Sequence, residues 1–277
     1  MKRWLCAAAF GAILNAGTAV ADCADVAGAC ELPDGDYHVA LPATAKGAPI
    51  VVFLHGAGGS GETAMRNTGL VSSFVSRGYA VITPTGSRKF RNSAGYVWSF
   101  YPGRRSRDEA AFLKDVVADA EARFDVDGSM VLLSGFSAGA FMVSYLACEA
   151  PDTFAAYAPV AGGFWRPHPE SCEGPVKLFQ THGWRDSTVP LEGRILGGGA
   201  FQQGDIFAGL ELWRIANECA DHKPRSFSET GQFWRRKWSG CAEGSALEMA
   251  MYPGGHGVPN GWAGMVIDWF EGVVPRS

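Results

Sequence analysis

The chain is poor in charge. Charged residues make up 19% of its 277 positions, no block of like sign occurs, and the formal net charge is −4. A nucleic-acid partner would need a basic stripe, so that class is excluded. A disordered chain is excluded too, because 47% of the residues are hydrophobic. Metal-ligand spacing is missing: neither C-x-x-C nor H-E-x-x-H occurs, and no metal and no cofactor is expected. There is no internal repeat and no linker, since the loop at Gly197-Gly198-Gly199 is too short to part domains. The apolar run at residues 4–20 is short and broken by Asn15 and Gly17, so a retained membrane anchor is not expected.

That run has another use. Lys2 and Arg3 precede it, and Ala19-Val20-Ala21 forms an A-x-A site before Asp22, the pattern of a secretory signal peptide over residues 1–21. An acylated Cys23 is disfavoured by Asp22, where a small residue belongs. Cleavage would remove one of seven cysteines, Cys6, and leave 22 basic against 28 acidic residues. The even remainder in an exported chain suggests disulfides. Short loops favour Cys23–Cys30, Cys148–Cys172 and Cys219–Cys241, with a free buried Cys148 as the alternative. The expected product is a single domain over residues 22–277, a monomer, secreted or periplasmic, with no membrane contact after cleavage.

Strand and helix patterns alternate along that domain. Residues 49–55 are a continuous apolar, β-branched run of the kind buried on both faces of a parallel sheet. Further strands are expected at 79–84, 129–134, 155–161, 176–182 and 247–252. Helices are expected at about 62–77, 108–124, 138–150 and 262–270. Residues 233–238 alternate as an edge strand or hairpin with one buried face would. Strands separated by helix-length segments indicate an α/β fold, a mostly parallel sheet with helices on both faces.

The chemistry gathers at strand ends. Gly135-Phe136-Ser137-Ala138-Gly139 is G-x-S-x-G between an expected strand and an expected helix, the setting in which a serine is lifted clear of a sheet. A serine hydroxyl needs a base, and the base an orienting carboxylate, in the chain order Ser, Asp, His for this fold class. His256, in a small-residue loop after a strand, is the best base. His168 and His222 look like surface residues, and His182 suits a structural role anchoring its loop. Asp186 follows a strand closely and precedes Val189-Pro190, whereas Asp152, Asp205 and Asp221 follow none. For the oxyanion, Ala138 supplies one backbone N–H and Ala57 a second, with Gly56 or Gly58 as alternatives, because glycines after the first buried strand let the backbone approach. Residues 56–61 also satisfy G-x-G-x-x-G, but the next strand ends Thr83-Pro84-Thr85 with no carboxylate for a ribose.

Taken together, Leu54-His55-Gly56, the Ser137 motif, His182-Gly183 through Asp186 to Val189-Pro190, and Gly254-Gly255-His256 resemble the secreted polyhydroxybutyrate depolymerase and feruloyl esterase family of α/β-hydrolases. The Asp-Thr-Phe-Ala-Ala run at 152–156 is similar as well. The resemblance implies an α/β-hydrolase fold, with Ser137 as nucleophile, Asp186 as orienting acid and His256 as general base. It implies an ester substrate, namely a polyester, its oligomers or an esterified polysaccharide. Ala140-Phe141 departs from the smaller or Gly-Met residues of many relatives, which bears on the acyl side of the pocket.

Loop aromatics bear on the ester. Trp98, Tyr101, Trp165 and Trp184 are candidate substrate-binding residues, with buried packing as the competing role for Trp98 and Trp165. The expected function is an exported serine esterase acting on polyhydroxybutyrate-type polyester or its oligomers. Alternatives are a feruloyl or acetyl-xylan esterase, an acyltransferase, and a catalytically silent polymer-binding protein.

Overall fold

The run Pro49–Leu54 accounts for the centre of the molecule. All six residues are buried, with Ile50, Val52 and Leu54 turned to one apolar layer and Val51 and Phe53 to the other. Only a strand sandwiched between two helix layers buries both faces in this way. The computed structural model describes Cys23 and residues 28–101, 103 and 106–275. The leader expected at residues 1–21 lies outside the described residues.

In chain order, β1 (Cys30–Leu32) and β2 (Gly35–Ala40) form a hairpin, and β3 (Pro49–Leu54) leads through α1 (Gly61–Met65) and α2 (Thr68–Val75) to β4 (Ala80–Pro84). A small flap of β5 (Arg88–Lys89) and β6 (Tyr96–Val97) precedes α3 (Glu109–Phe124), β7 (Asp127–Phe136), α4 (Ala138–Glu149), β8 (Ala156–Val160) and β9 (Lys177–Gly183). A second flap, β10 (Ile195–Leu196) with β11 (Phe201–Gln202), is followed by α5 (Ile206–Ala216), β12 (Ser226–Thr230), β13 (Phe233–Lys237), β14 (Ala246–Tyr252) and α6 (Trp262–Val273).

Ten strands make the main sheet, in the order β1-β2-β4-β3-β7-β8-β9-β14-β13-β12. The six from β4 to β14 run parallel, and antiparallel pairs close both ends. Residues of α3, α4 and α5 pack in one apolar layer, those of α2 and α6 in the other. This is the α/β-hydrolase fold expected from the sequence. No helix among the described residues is long and apolar enough to cross a membrane.

Two departures from the expected elements have local causes. The helix expected at 62–77 is two, because Asn67 leaves the helical region (ψ 71°) and caps α2 by accepting from the Leu70 amide. Helix α5 went unpredicted although its signal is present: Asp205 accepts from the amides of Phe207 and Ala208, and Ile206, Gly209, Leu210 and Trp213 fall on one buried face. The short N-terminal hairpin was also unpredicted. Residues 233–237 do form a hairpin with a buried Phe233, and β12 takes the edge.

The disulfides pair as the short loops favoured: Cys23–Cys30, Cys148–Cys172 and Cys219–Cys241. The second ties the C-terminal end of α4 to the segment before β9, and the Glu173 amide donates to the Cys148 carbonyl at 2.8 Å beside it. Its loop of 24 residues corresponds to about 3 kcal/mol of unfolded-state entropy. Replacing Cys148 and Cys172 together by alanine is therefore expected to lower the unfolding free energy by about 2–4 kcal/mol, measured by urea denaturation.

Candidate active site

Ser137 sits between β7 and α4 with φ 55° and ψ −117°, a conformation that side chains other than glycine rarely adopt. The neighbouring glycines make it possible. A Cβ on Gly139 would run into the Leu54 carbonyl, and one on Gly135 would meet Gly139 at 2.7 Å and Leu54 at 2.9 Å. The Ser137 amide is tied to the Val160 carbonyl at 3.0 Å. The turn is thus wedged between β3 and β8 with its hydroxyl pointing away from the sheet.

Three side chains from three loops meet there. The Ser137 hydroxyl lies 2.9 Å from His256 Nε2, and His256 Nδ1 lies 2.8 Å from Asp186 Oδ2. The carboxylate must accept from Nδ1–H, so Nε2 carries the lone pair that faces the serine. Asp186 Oδ1 accepts from the amides of Thr188 (2.9 Å) and Val189 (2.8 Å). Burial pushes this carboxyl up, but the hydrogen bond from His256, the Val189 amide and the nearby imidazoles outweigh it, and it lies below the usual carboxylate range. It is therefore ionised at neutral pH.

The loops carrying Asp186 and His256 are zipped together. Trp184 N–H donates to the Tyr252 carbonyl (2.8 Å), Arg185 N–H to Gly254 (2.9 Å), and the Arg185 guanidinium caps the Pro253 carbonyl. The buried Tyr252 hydroxyl reaches the carbonyls of Gly255 and Gly257, each at 2.7 Å, on both sides of His256. Sequence reasoning missed Tyr252, although its place at the end of β14, four residues before His256, was the signal available. His182 anchors its loop as expected: fully buried, it donates from Nε2 to the Val189 carbonyl at 2.7 Å. His168 is half-buried rather than a surface residue, its Nε2 held 3.0 Å from the Asp205 carbonyl, whereas His222 is exposed.

On the opposite side, the loop after β3 approaches the serine. A Cβ on Gly56 would stand 3.4 Å from Ser137 Cβ. Gly58 donates to the Tyr96 carbonyl (2.8 Å) and Gly59 to Gly56 (3.1 Å), so Gly58 is removed as an oxyanion donor and the amides of Gly56 and Ala57 remain. Ala138 opens α4, where the first amides have no acceptor within the helix. His55 fixes this loop: Nε2 accepts from the Gly86 amide (2.9 Å), which puts the ring proton on Nδ1, 2.8 Å from the Gly56 carbonyl.

The aromatic candidates divide. Trp98 is only 2% exposed and donates from Nε1 to the His55 carbonyl at 2.9 Å. This corrects its assignment to the substrate surface, because the indole is spent holding the β3 loop. Trp165 stacks on Phe141 (5.2 Å between centroids) and Phe100 (6.5 Å), and Tyr101 meets Trp165 edge-on at 6.0 Å. Both are half-buried. Trp184 is 59% exposed beside Asp186. Among the described residues no group of three or more His, Cys, Asp or Glu side chains could hold a metal ion.

Burial holds His55 at about 4, below its ordinary 6.5, and lowers His182 in the same direction. Both imidazoles are neutral in the folded protein and charge more readily when unfolded. The stability they confer is complete above pH 6.5 and is lost as the pH falls toward 4. For His55 the loss amounts to about 3 kcal/mol. Urea unfolding across pH 7 to 4 is expected to show this decline, and His55→Gln to make it shallower, leaving the part due to His182.

Comparison with known proteins bears on the fold and on the kind of protein this chain resembles. The family model described as esterase PHB depolymerase matches residues 36–168. Poly(3-hydroxyalkanoate) depolymerase C of Paucimonas lemoignei is 35% identical over 125 residues, which cover 42% of this chain and 28% of that protein. A probable feruloyl esterase C of Aspergillus terreus is 28% identical over 158 residues, 56% of this chain and 52% of the relative. The chain thus spans from about a quarter to half of the length of these relatives. Acetyl xylan esterase from Aspergillus awamori shares the fold with a TM-score of 0.62 at 16% identity, over 86% of this chain and 94% of that one. Over residues 36–168, which carry the β3 loop and the Ser137 turn, the chain is similar to the esterase PHB depolymerase family.

Proposed function

We propose that this protein is an exported serine esterase that hydrolyses carboxylic esters, with polyhydroxybutyrate-type polyester or its oligomers as substrate. The observation that supports it most is the unbroken hydrogen-bond chain from an ionised, buried Asp186 through His256 to Ser137. As Ser137 Oγ bonds to the ester carbonyl carbon, His256 Nε2 takes its proton and Asp186 stabilises the imidazolium. The oxyanion is held by the N–H groups of Ala138 and Ala57. The carbon–oxygen bond to the alkoxy group then breaks, and that oxygen takes the proton from His256. Water attacks the acyl-Ser137 with His256 as base, releasing the acid and restoring the serine.

Three disulfides support export, since such bonds persist in oxidising compartments, with residues 1–21 as the cleaved leader and residues 22–277 as the enzyme. The polyester reading is supported by the family and by the Paucimonas lemoignei relative. A feruloyl or acetyl-xylan substrate is the second reading, favoured by the half-buried rings of Trp165 and Tyr101 and by the Aspergillus terreus relative. In either case Trp184, Trp165 and Tyr101 border the bound ester. Parallel assays with hydroxybutyrate oligomers, methyl ferulate and acetylated xylan separate the two.

Ser137→Ala is expected to lower kcat for a short-chain nitrophenyl ester by about 10⁴ to 10⁶-fold and to abolish labelling by a serine-directed phosphonate. Full residual activity would overturn the mechanism. Tyr252→Phe keeps the ring but frees the His256 loop. Its kcat is expected to drop about tenfold with KM unchanged, since a mispositioned base weakens the transition state and not substrate binding.

A further inference from the structure

A cleft lies on the far side of the β3 loop, whose Gly56 and Ala57 form part of its wall. It is about 400 Å³ in volume and lies between that loop, Ala64 and Asn67 of the α1–α2 segment, Phe136 and Val258. Two contacts join it to the reacting groups. Phe136 directly precedes Ser137, and its ring centroid lies 4.7 Å from that of the His256 imidazole. Gly56, on the cleft's wall, packs against Ser137. The cleft therefore adjoins both reacting side chains through Phe136 and Gly56, with neither Ser137 nor His256 in its own lining.

In an ester cleaved by Ser137, the alkoxy oxygen receives the proton held on His256 Nε2, so the alkoxy group departs past the imidazole while the acyl group stays on the serine. The chemistry of the walls indicates what fits there. Phe53, Ala64, Phe136 and Val258 are apolar, and no charged side chain lines the cleft. His55, also in its lining, is held neutral by burial. Asn67 uses its side-chain oxygen to cap α2, at 3.3 Å from the Leu70 amide, which leaves its NH₂ group as a donor with no protein acceptor among the described residues. A donor beside an apolar slot suits the carbonyl of a second ester further along a chain, whereas a carboxylate there would lose hydration with no cation to compensate.

Resting on the esterase reading, we infer that this cleft is the alkoxy-side subsite and that it takes a compact, uncharged alkoxy group, such as a short alkyl or a hydroxyalkanoate unit esterified at its carboxyl. Because the alkoxy group leaves before water attacks, the subsite acts on acylation alone. Its signature is in kcat/KM and not in the deacylation rate shared by all esters of one acid.

The test compares three arms: acetates of methanol, ethanol and butanol; methyl esters of acetic, butyric and hexanoic acids; and 3-acetoxybutanoate against its methyl ester. Wild type is expected to favour butyl over methyl acetate, and methyl 3-acetoxybutanoate over the free acid by at least about tenfold in kcat/KM. Ala64→Phe and Val258→Phe, which narrow the cleft at two separate lining positions, are expected to remove the butyl preference while leaving the acyl-length ratios within about twofold. Stoichiometric phosphonate labelling identifies which variants retain a folded site, and either one suffices. Variants that shift the acyl series instead, or neither series, overturn the subsite, as does equal cleavage of the free acid. A wild type that cleaves no ester and takes no phosphonate defeats the esterase reading itself, a result distinct from active enzyme with unshifted variants.

Discussion

The close approach of three backbones at Leu54, Gly135 and Gly139 is the constraint on which the rest of the site depends. β3, β7 and the start of α4 come so near one another there that a methyl group at either glycine would collide with Leu54. Ser137 is held in a strained conformation that costs about 1–3 kcal/mol elsewhere in the ledger of contacts. The strain persists because the surrounding strands are buried on both faces and cannot yield: Val52, Leu54, Leu132 and Leu133 are fully enclosed. The same crowding brings the amide of Ala138 and the β3 loop to one side of the hydroxyl, so nucleophile and donors are set by a single packing event.

The remaining polar groups follow from how burial treats charge. Asp186 is buried yet ionised, because two amides and an imidazole replace the water it has lost. His55 and His182 are buried and neutral, each making a backbone contact that fixes a loop: His55 joins the β3 loop to Gly86, and His182 grips Val189 next to Asp186. Of the three histidines around the site, His256 alone remains half-exposed. Three imidazoles of one intrinsic basicity thus take different tasks, and the difference lies in solvent access and partners rather than in residue type.

These distinctions mark the border of what the sequence reveals. The Ser137, Asp186 and His256 loops were legible because each closely follows a strand-length apolar run and carries a motif of the resembled family. The parallel core was legible because residues 49–55 lack any polar alternation. Trp98 was not, since nothing in Val97-Trp98-Ser99 says that the indole N–H will meet the His55 carbonyl rather than a substrate. Tyr252 was missed because a strand-terminal tyrosine has the same pattern whether its hydroxyl faces water or two carbonyls. The break at Asn67 turns on one cap, a local bond that competes with helix propensity and that periodicity averages away.

The limit on substrate choice has a related cause. In the aromatic stack, Phe100 and Phe141 are nearly enclosed, so it presents mainly the half-buried Trp165 and Tyr101 to solvent. Beside the β3 loop, a cleft without charged side chains has the neutral His55 in its wall. Neither wall contributes a fixed charge, which accords with the chain's low charge density. An ester is a neutral, weakly polar group, and discrimination among neutral esters rests on fit and desolvation, with about 1–3 kcal/mol for a methylene in or out of place. Differences of that size come from side chains such as Ala64 and Val258 on loops and short helices that the sheet does not constrain. Loops of this kind tolerate substitutions that the Ser137 turn, wedged against Leu54, does not.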